Sequence, residues 1–121
     1  MKFYRGILEE KDFIVAGDFN YSGTAQAMKD FADETDMTQL DRDEKSTHKT
    51  DGSGYASSYD HMYAWSDEET AEFEDGRCRV MDATKVAYGS NSVSDMKRSR
   101  EELSDHLPVW AVFDVSGPDD D

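Results

Sequence analysis

Cysteine is all but absent. Cys78 stands alone in 121 residues, so no disulfide can close within the chain, and nothing in its thiol chemistry asks for an oxidising compartment. Its expected role is that of a small buried apolar residue. Long apolar runs are missing too. No stretch approaches the ~18 residues of a membrane span, and the opening Met1-Lys2-Phe3-Tyr4-Arg5 lacks the apolar centre of a signal peptide. An intracellular, cytoplasmic location with no membrane partner is the expectation. Positive charge is the third shortage: seven Lys and six Arg face 18 Asp and ten Glu, a net charge of −15. Binding to phosphate backbones draws on Lys and Arg, which argues against nucleic acid as a tight partner at low salt.

What is present is acid, scattered along the whole chain. Like charges on a compact body repel and oppose folding in dilute salt. At about 1 M salt the Debye length falls to about 3 Å and that repulsion nearly vanishes. Scattered Asp beside scarce Lys therefore suggests a protein from a halophile, adapted to molar salt. Low hydropathy with high net charge is also the signature of disorder. Against that stand 14 aromatic residues and several clean apolar runs, enough for the core of one small domain.

The runs organise the chain. Phe3, Ile7 and Leu8 share a helical face over residues 3–10, and Phe13-Ile14-Val15-Ala16 reads as a short strand buried on both faces, ended by Gly17. Thr24 is placed to cap a helix to about Thr35, with Ala25, Met28, Phe31 and Ala32 at helical spacing. Residues 36–58 read as a long polar loop, Tyr59 to Trp65 as an alternating strand, and Arg79 to Ala87 as another strand anchored by Val80, Met81 and Val86. Residues 90–104 form a polar loop with a helical turn or two near Met96 to Leu103, before a strand from Pro108 to Phe113. The class is α/β or α+β with a mixed, mostly antiparallel sheet and helices on one face: one domain over 1–116, then an unstructured acidic tail over 117–121.

Two strand ends carry capable side chains. In Gly17-Asp18-Phe19-Asn20, a carboxylate and an amide project from the turn that closes a strand, a pairing suited to holding a metal-bound water beside a phosphate. In Ser104-Asp105-His106-Leu107-Pro108, an acid and an imidazole precede the last strand. Tyr59-Asp60-His61 is a third candidate, in which Asp60 can orient an imidazole through its ring N–H. Each has a plain reading as well: Asp18 as a turn cap, Asp105-His106 as a surface pair, His48 and His61 as bystanders, and Asp67-Glu68-Glu69 as solvated surface.

Taken together, the three motifs point further. Phe13 to Asn20 resembles the strand and "GDFN" signature of the endonuclease/exonuclease/phosphatase family, which includes the deoxyribonuclease I-like nucleases. Tyr59-Asp60 resembles its "YD" strand start, and Ser104 to Val109 its terminal "SDHxPV" signature, in the same order and rough spacing. The resemblance implies half of a four-layer α/β/β/α sandwich and metal-dependent cleavage of phosphodiesters or phosphomonoesters. By motif match, Asp18 would activate water and Asn20 would hold the phosphate or its metal. Asp60 would orient His106, His106 would contact the phosphate, and Asp105 with Asp18 would sit at a magnesium or manganese ion.

The family domain has a first half that supplies an early Asn, a metal-binding Glu and a further His or Tyr, and no Glu here stands in a matching context. The isolated chain is therefore expected to be inactive or weak, and one sheet face to be bare, with Trp110, Val112, Phe13, Val15 and Met62 as candidates for it. Three readings follow. The chain is a fragment of a longer nuclease-like protein; or it pairs as a homodimer or with a separate N-terminal half; or it is a non-catalytic, salt-adapted binding module. Nucleic acid or another phosphoester would be met at high salt, through Lys45, Lys49, Arg98 and Arg100.

Overall fold

The computed structural model describes residues 13–65 and 78–113. The helix expected over 3–10, the acidic run at Asp67 to Glu69 and the tail over 117–121 lie outside the described residues. Eight elements follow in order: β1 (Phe13–Asp18), α1 (Gln26–Thr35), β2 (Thr38–Gln39), β3 (Asp60–Trp65), β4 (Arg79–Val80), α2 (Ala83–Tyr88), α3 (Val93–Glu102) and β5 (Val109–Trp110). The fold is α/β, and its ladders are antiparallel: a three-stranded sheet in the order β1-β3-β2 and a β4-β5 pair. Among the described residues, the expected mixed sheet is represented only by one isolated parallel bridge, Asp41 to Cys78.

β3 is the axis of the core because its side chains alternate. Tyr63, fully buried, faces Met28 of α1 and Met37, with Phe13, Val15, Phe19 and Phe31 packed around them. Ala64 faces the other way, onto Leu40 and Cys78, where Met62, Val109 and Ala111 close the second cluster. Burial and the fields of Asp41 and Glu44 push the Cys78 thiol up to about 11, so it is an inert apolar filler, as expected.

β1 departs from the reading of a strand buried twice. Phe13 and Val15 pack inward, but Ile14 between them is 49% exposed. A continuous apolar run shows only that both faces can be covered. Of the bare-face candidates, Trp110 and Val112 are each 46% exposed, whereas Phe13, Val15 and Met62 are packed.

Caps explain the other corrections. Ala25, not Thr24, occupies the N-cap of α1, with no side-chain cap bond, because the Thr24 hydroxyl pairs with Ser22 Oγ at 2.9 Å. The strand expected over 79–87 stops at Val80. Asp82 then accepts from the Lys85 N–H at 3.0 Å and starts α2, which Gly89 ends at φ 81°. Val86, taken as a strand anchor, is 75% exposed on that helix. Residues 90–104, read as mostly loop, hold the ten-residue α3, capped by Ser92, which accepts from the Asp95 N–H at 3.2 Å. The last strand is limited to Val109–Trp110.

The segment expected as a loop over 36–58 holds the short β2, which pairs with β3, and the rest of it is tied down although it lacks regular structure. Thr47 bridges His106, and His48 bridges Tyr55. Gly52, at φ 73°, lies so close to α3 that a Cβ would stand 2.7 Å from the Val93 carbonyl oxygen. This strapping brings residues 44–48 beneath the 104–108 turn.

Candidate active site

Antiparallel pairing sets Asp18, the last residue of β1, opposite Asp60, the first of β3. Positive φ angles occur on both sides of Asp18, at Gly17 within the strand and at Asn20 after it. Gly17 has φ 154°, a conformation that L side chains rarely adopt, and Asn20 has φ 56°, which Asn tolerates. Asp18 Oδ1 accepts from the Asn20 N–H at 2.8 Å, so the plain reading as a turn cap holds for one carboxylate oxygen. The other faces outward, 3.8 Å from His106 Nε2.

Asp60 holds His106 from behind. Its Oδ2 is 2.7 Å from His106 Nδ1 and also accepts from Ser46 Oγ at 2.6 Å. Ser46 is fully buried, and its Oγ accepts from the N–H groups of Tyr59 and Asp60, each at 3.1 Å. The Ser46 carbonyl accepts from the Leu107 N–H at 2.7 Å. One serine thus fixes Asp60 through its side chain and the His106 turn through its backbone.

With Nδ1 donating to a carboxylate, Nε2 is the nitrogen presented outward. Partial burial lowers the His106 pKa. The hydrogen bond to Asp60 and the negative fields of Asp60, Asp18 and Asp105 outweigh that and raise it above its ordinary value. Ligand atoms of Asp18, Asp60 and His106 lie within 4.8 Å of one another. Asp105 is outside that group: its carboxylate, 60% exposed, lies 3.8 Å from Arg100 Nη2. The Asn20 side chain is exposed and makes no hydrogen bond among the described residues.

A hard divalent ion would find part of its ligand set here. Asp18 Oδ2 accepts no hydrogen bond among the described residues, whereas His106 Nδ1 is committed to Asp60. Magnesium typically takes one or two carboxylates, several waters and substrate phosphate oxygens, so the donors fit an ion held chiefly at Asp18. No family model, no curated protein and no solved structure matches the chain.

The histidines read as bystanders divide. His48 is buried and packs edge-on against the Tyr55 ring at 5.3 Å, with neither ring nitrogen hydrogen-bonded. His61 is fully buried with Nδ1 3.0 Å from Asp41 Oδ2 and Nε2 2.8 Å from the Tyr21 carbonyl oxygen. Both of its nitrogens face acceptors, an arrangement that suits the doubly protonated ring. Neither Ser46 nor Asp41 was singled out in sequence: each sits in a polar stretch and gains its partner only through tertiary contact.

Proposed function

We propose that the chain carries the phosphate-facing part of a divalent-metal-dependent phosphoesterase. Its frame would be half of a four-layer α/β/β/α sandwich of the endonuclease/exonuclease/phosphatase kind. The observation that carries this reading is convergence. Asp18, Asp60 and His106 come from three separate stretches, each resembling a signature of that family, and their ligand atoms meet within 4.8 Å.

In this reading Asp60 keeps Nδ1 protonated and Nε2 turned to the ligand. A protonated Nε2 would donate to a phosphate oxygen and offset the charge that develops there. Asp18 Oδ2 would accept a proton from an attacking water, and the Asn20 amide would hold a phosphate oxygen. A magnesium or manganese ion at Asp18 would neutralise phosphate charge and make a bound water more acidic. Asp18 alone is a sparse ligand set, so weak metal binding and slow turnover by this chain are expected.

The test is nicking of supercoiled plasmid in about 2 M potassium chloride, where surface repulsion is screened, with magnesium or manganese supplied. We expect slow nicking that requires the metal and falls about 10²- to 10⁴-fold, as befits loss of a general acid–base group, in Asp18→Ala and His106→Ala. Nicking that survives both substitutions overturns the reading. A folded chain that binds manganese but never nicks is a binding module instead. That second reading is favoured by Ile14, Trp110 and Val112, each 46–49% exposed, which a second copy or a separate first half would cover.

A further inference from the structure

Beside the Asp18–Asp60–His106 site lies a cavity of about 480 Å³, lined in part by Asn20, Tyr21, Lys45, Ser57, Ser58 and Tyr59. Asp18, Asp60 and His106 do not line it themselves, but their neighbours do. Asn20 follows Asp18 by two positions, Tyr59 precedes Asp60, and Lys45 precedes the Ser46 that fixes Asp60. We infer that this cavity is a second subsite for the phosphoester reading above, taking a ring that bears a second phosphate, with the ring on Tyr21 and that phosphate on Lys45.

Three observations carry it. The first is Lys45. In a chain of net charge −15 it lines the cavity together with Asp43, yet it forms no ion pair among the described residues. Asp43 is already occupied by Ser22 Oγ and the Gly23 N–H, the latter at 2.7 Å. An ammonium left over beside an anion-processing site suits the next anionic group of the ligand.

The second is Tyr21. The residue is 55% exposed, while its carbonyl accepts from the buried His61. That bond fixes the backbone from which the ring projects, so the ring is presented on a rigid support. An exposed aromatic ring on a fixed backbone is a platform on which nucleobases stack.

The third is Ser58. The residue is 7% exposed, and its Oγ has no hydrogen-bond partner. A turn about its first side-chain torsion would offer a polar edge contact to a ring seated in the cavity. Ser57 and Asn20 add further polar groups to the same wall.

Two sources supply this chemistry: a nucleotide unit of an oligonucleotide, or a phosphorylated polyol. Calorimetric titration with manganese present would compare thymidine dinucleotide with and without a 5′-phosphate, and inositol monophosphate with inositol bisphosphate. The second phosphate is expected to tighten binding of one series. Lys45→Ala would cancel most of that gain, an effect of about fivefold that shrinks as salt rises. Tyr21→Ala would weaken the dinucleotides about tenfold, in the range found for stacked bases, with little salt dependence, and the polyol phosphates less, because a saturated ring has no π face. Both side chains are exposed, so neither substitution should disturb folding. The series that responds names the source. Equal affinity for one- and two-phosphate ligands, or an unchanged gain in Lys45→Ala, removes this inference alone. No binding of any ligand by the folded, manganese-loaded chain removes the phosphoester reading together with it.

Discussion

Asp41→Ala should cost about 3–5 kcal/mol of folding stability, the range for breaking a buried ion pair from one side. The side chains of His61 and Asp41 are 0% and 3% exposed, so water cannot replace the lost partner. Asp41 does more than neutralise the ring. Its carboxylate also accepts from Gln39 Nε2 at 2.8 Å and from the N–H groups of Asp43 and Met62 at 3.1 and 3.2 Å. Truncation strands four donors at once. A domain of this size has about 5–15 kcal/mol in total, so the variant would approach the unfolding threshold. Urea denaturation in concentrated salt measures it; a loss under about 1 kcal/mol, the range of solvated surface pairs, would mean that the pair is solvated.

The same pair predicts a pH profile. Burial lowers the His61 pKa, but the hydrogen bonds to Asp41 and the Tyr21 carbonyl outweigh it and hold the value above its ordinary 6.5. Burial raises the Asp41 pKa, but hydrogen bonds from His61, Gln39 and Met62 hold it below its ordinary 3.8. A raised His pKa contributes stability that is complete below 6.5 and lost as pH climbs through the folded value. A lowered Asp pKa contributes stability present above 3.8 and lost as pH falls through the folded value. The pair therefore contributes most between these limits, and Asp41→Ala should flatten the profile on both sides.

Whether a feature was legible in the sequence depended on whether its cause was local. Asp18, Asp60 and His106 could be picked out because each sits inside a short motif, the first two at strand ends and His106 three residues before β5. Tyr63 and Met28 followed from the alternation of β3 and the periodicity of α1. Helices α2 and α3 were read as strand and mostly loop because they bury almost nothing apolar: Thr84 in one, Met96 and Ser99 in the other. Their signal lay in the caps Asp82, Gly89 and Ser92. His61 looked idle because its partner stands 20 residues away across a stretch without regular structure. Ser46 gave no signal at all, since its importance arises only when that stretch folds under the His106 turn.

Ser46 and Asp60 can be ranked by what each does to His106. In Asp60→Asn the side chain keeps its shape but loses its charge. The imidazolium then loses its counter-charge, and the ring offers the phosphate a neutral N–H at best instead of a positive charge. Metal-dependent hydrolysis should fall about 10²- to 10⁴-fold, the usual worth of a positioned acid–base group, with little change in unfolding midpoint. Ser46→Ala acts one step further out. It removes the 2.6 Å bond to Asp60 and leaves the Tyr59 and Asp60 N–H groups without their acceptor. Leaving a buried donor unpaired costs about 1–3 kcal/mol, so this variant should lose stability as well as activity. The two variants thus separate positioning from folding: a fall in hydrolysis for Asp60→Asn no larger than that for Ser46→Ala, at equal loss of stability, would make the Asp60–His106 bond a structural contact rather than part of the chemistry.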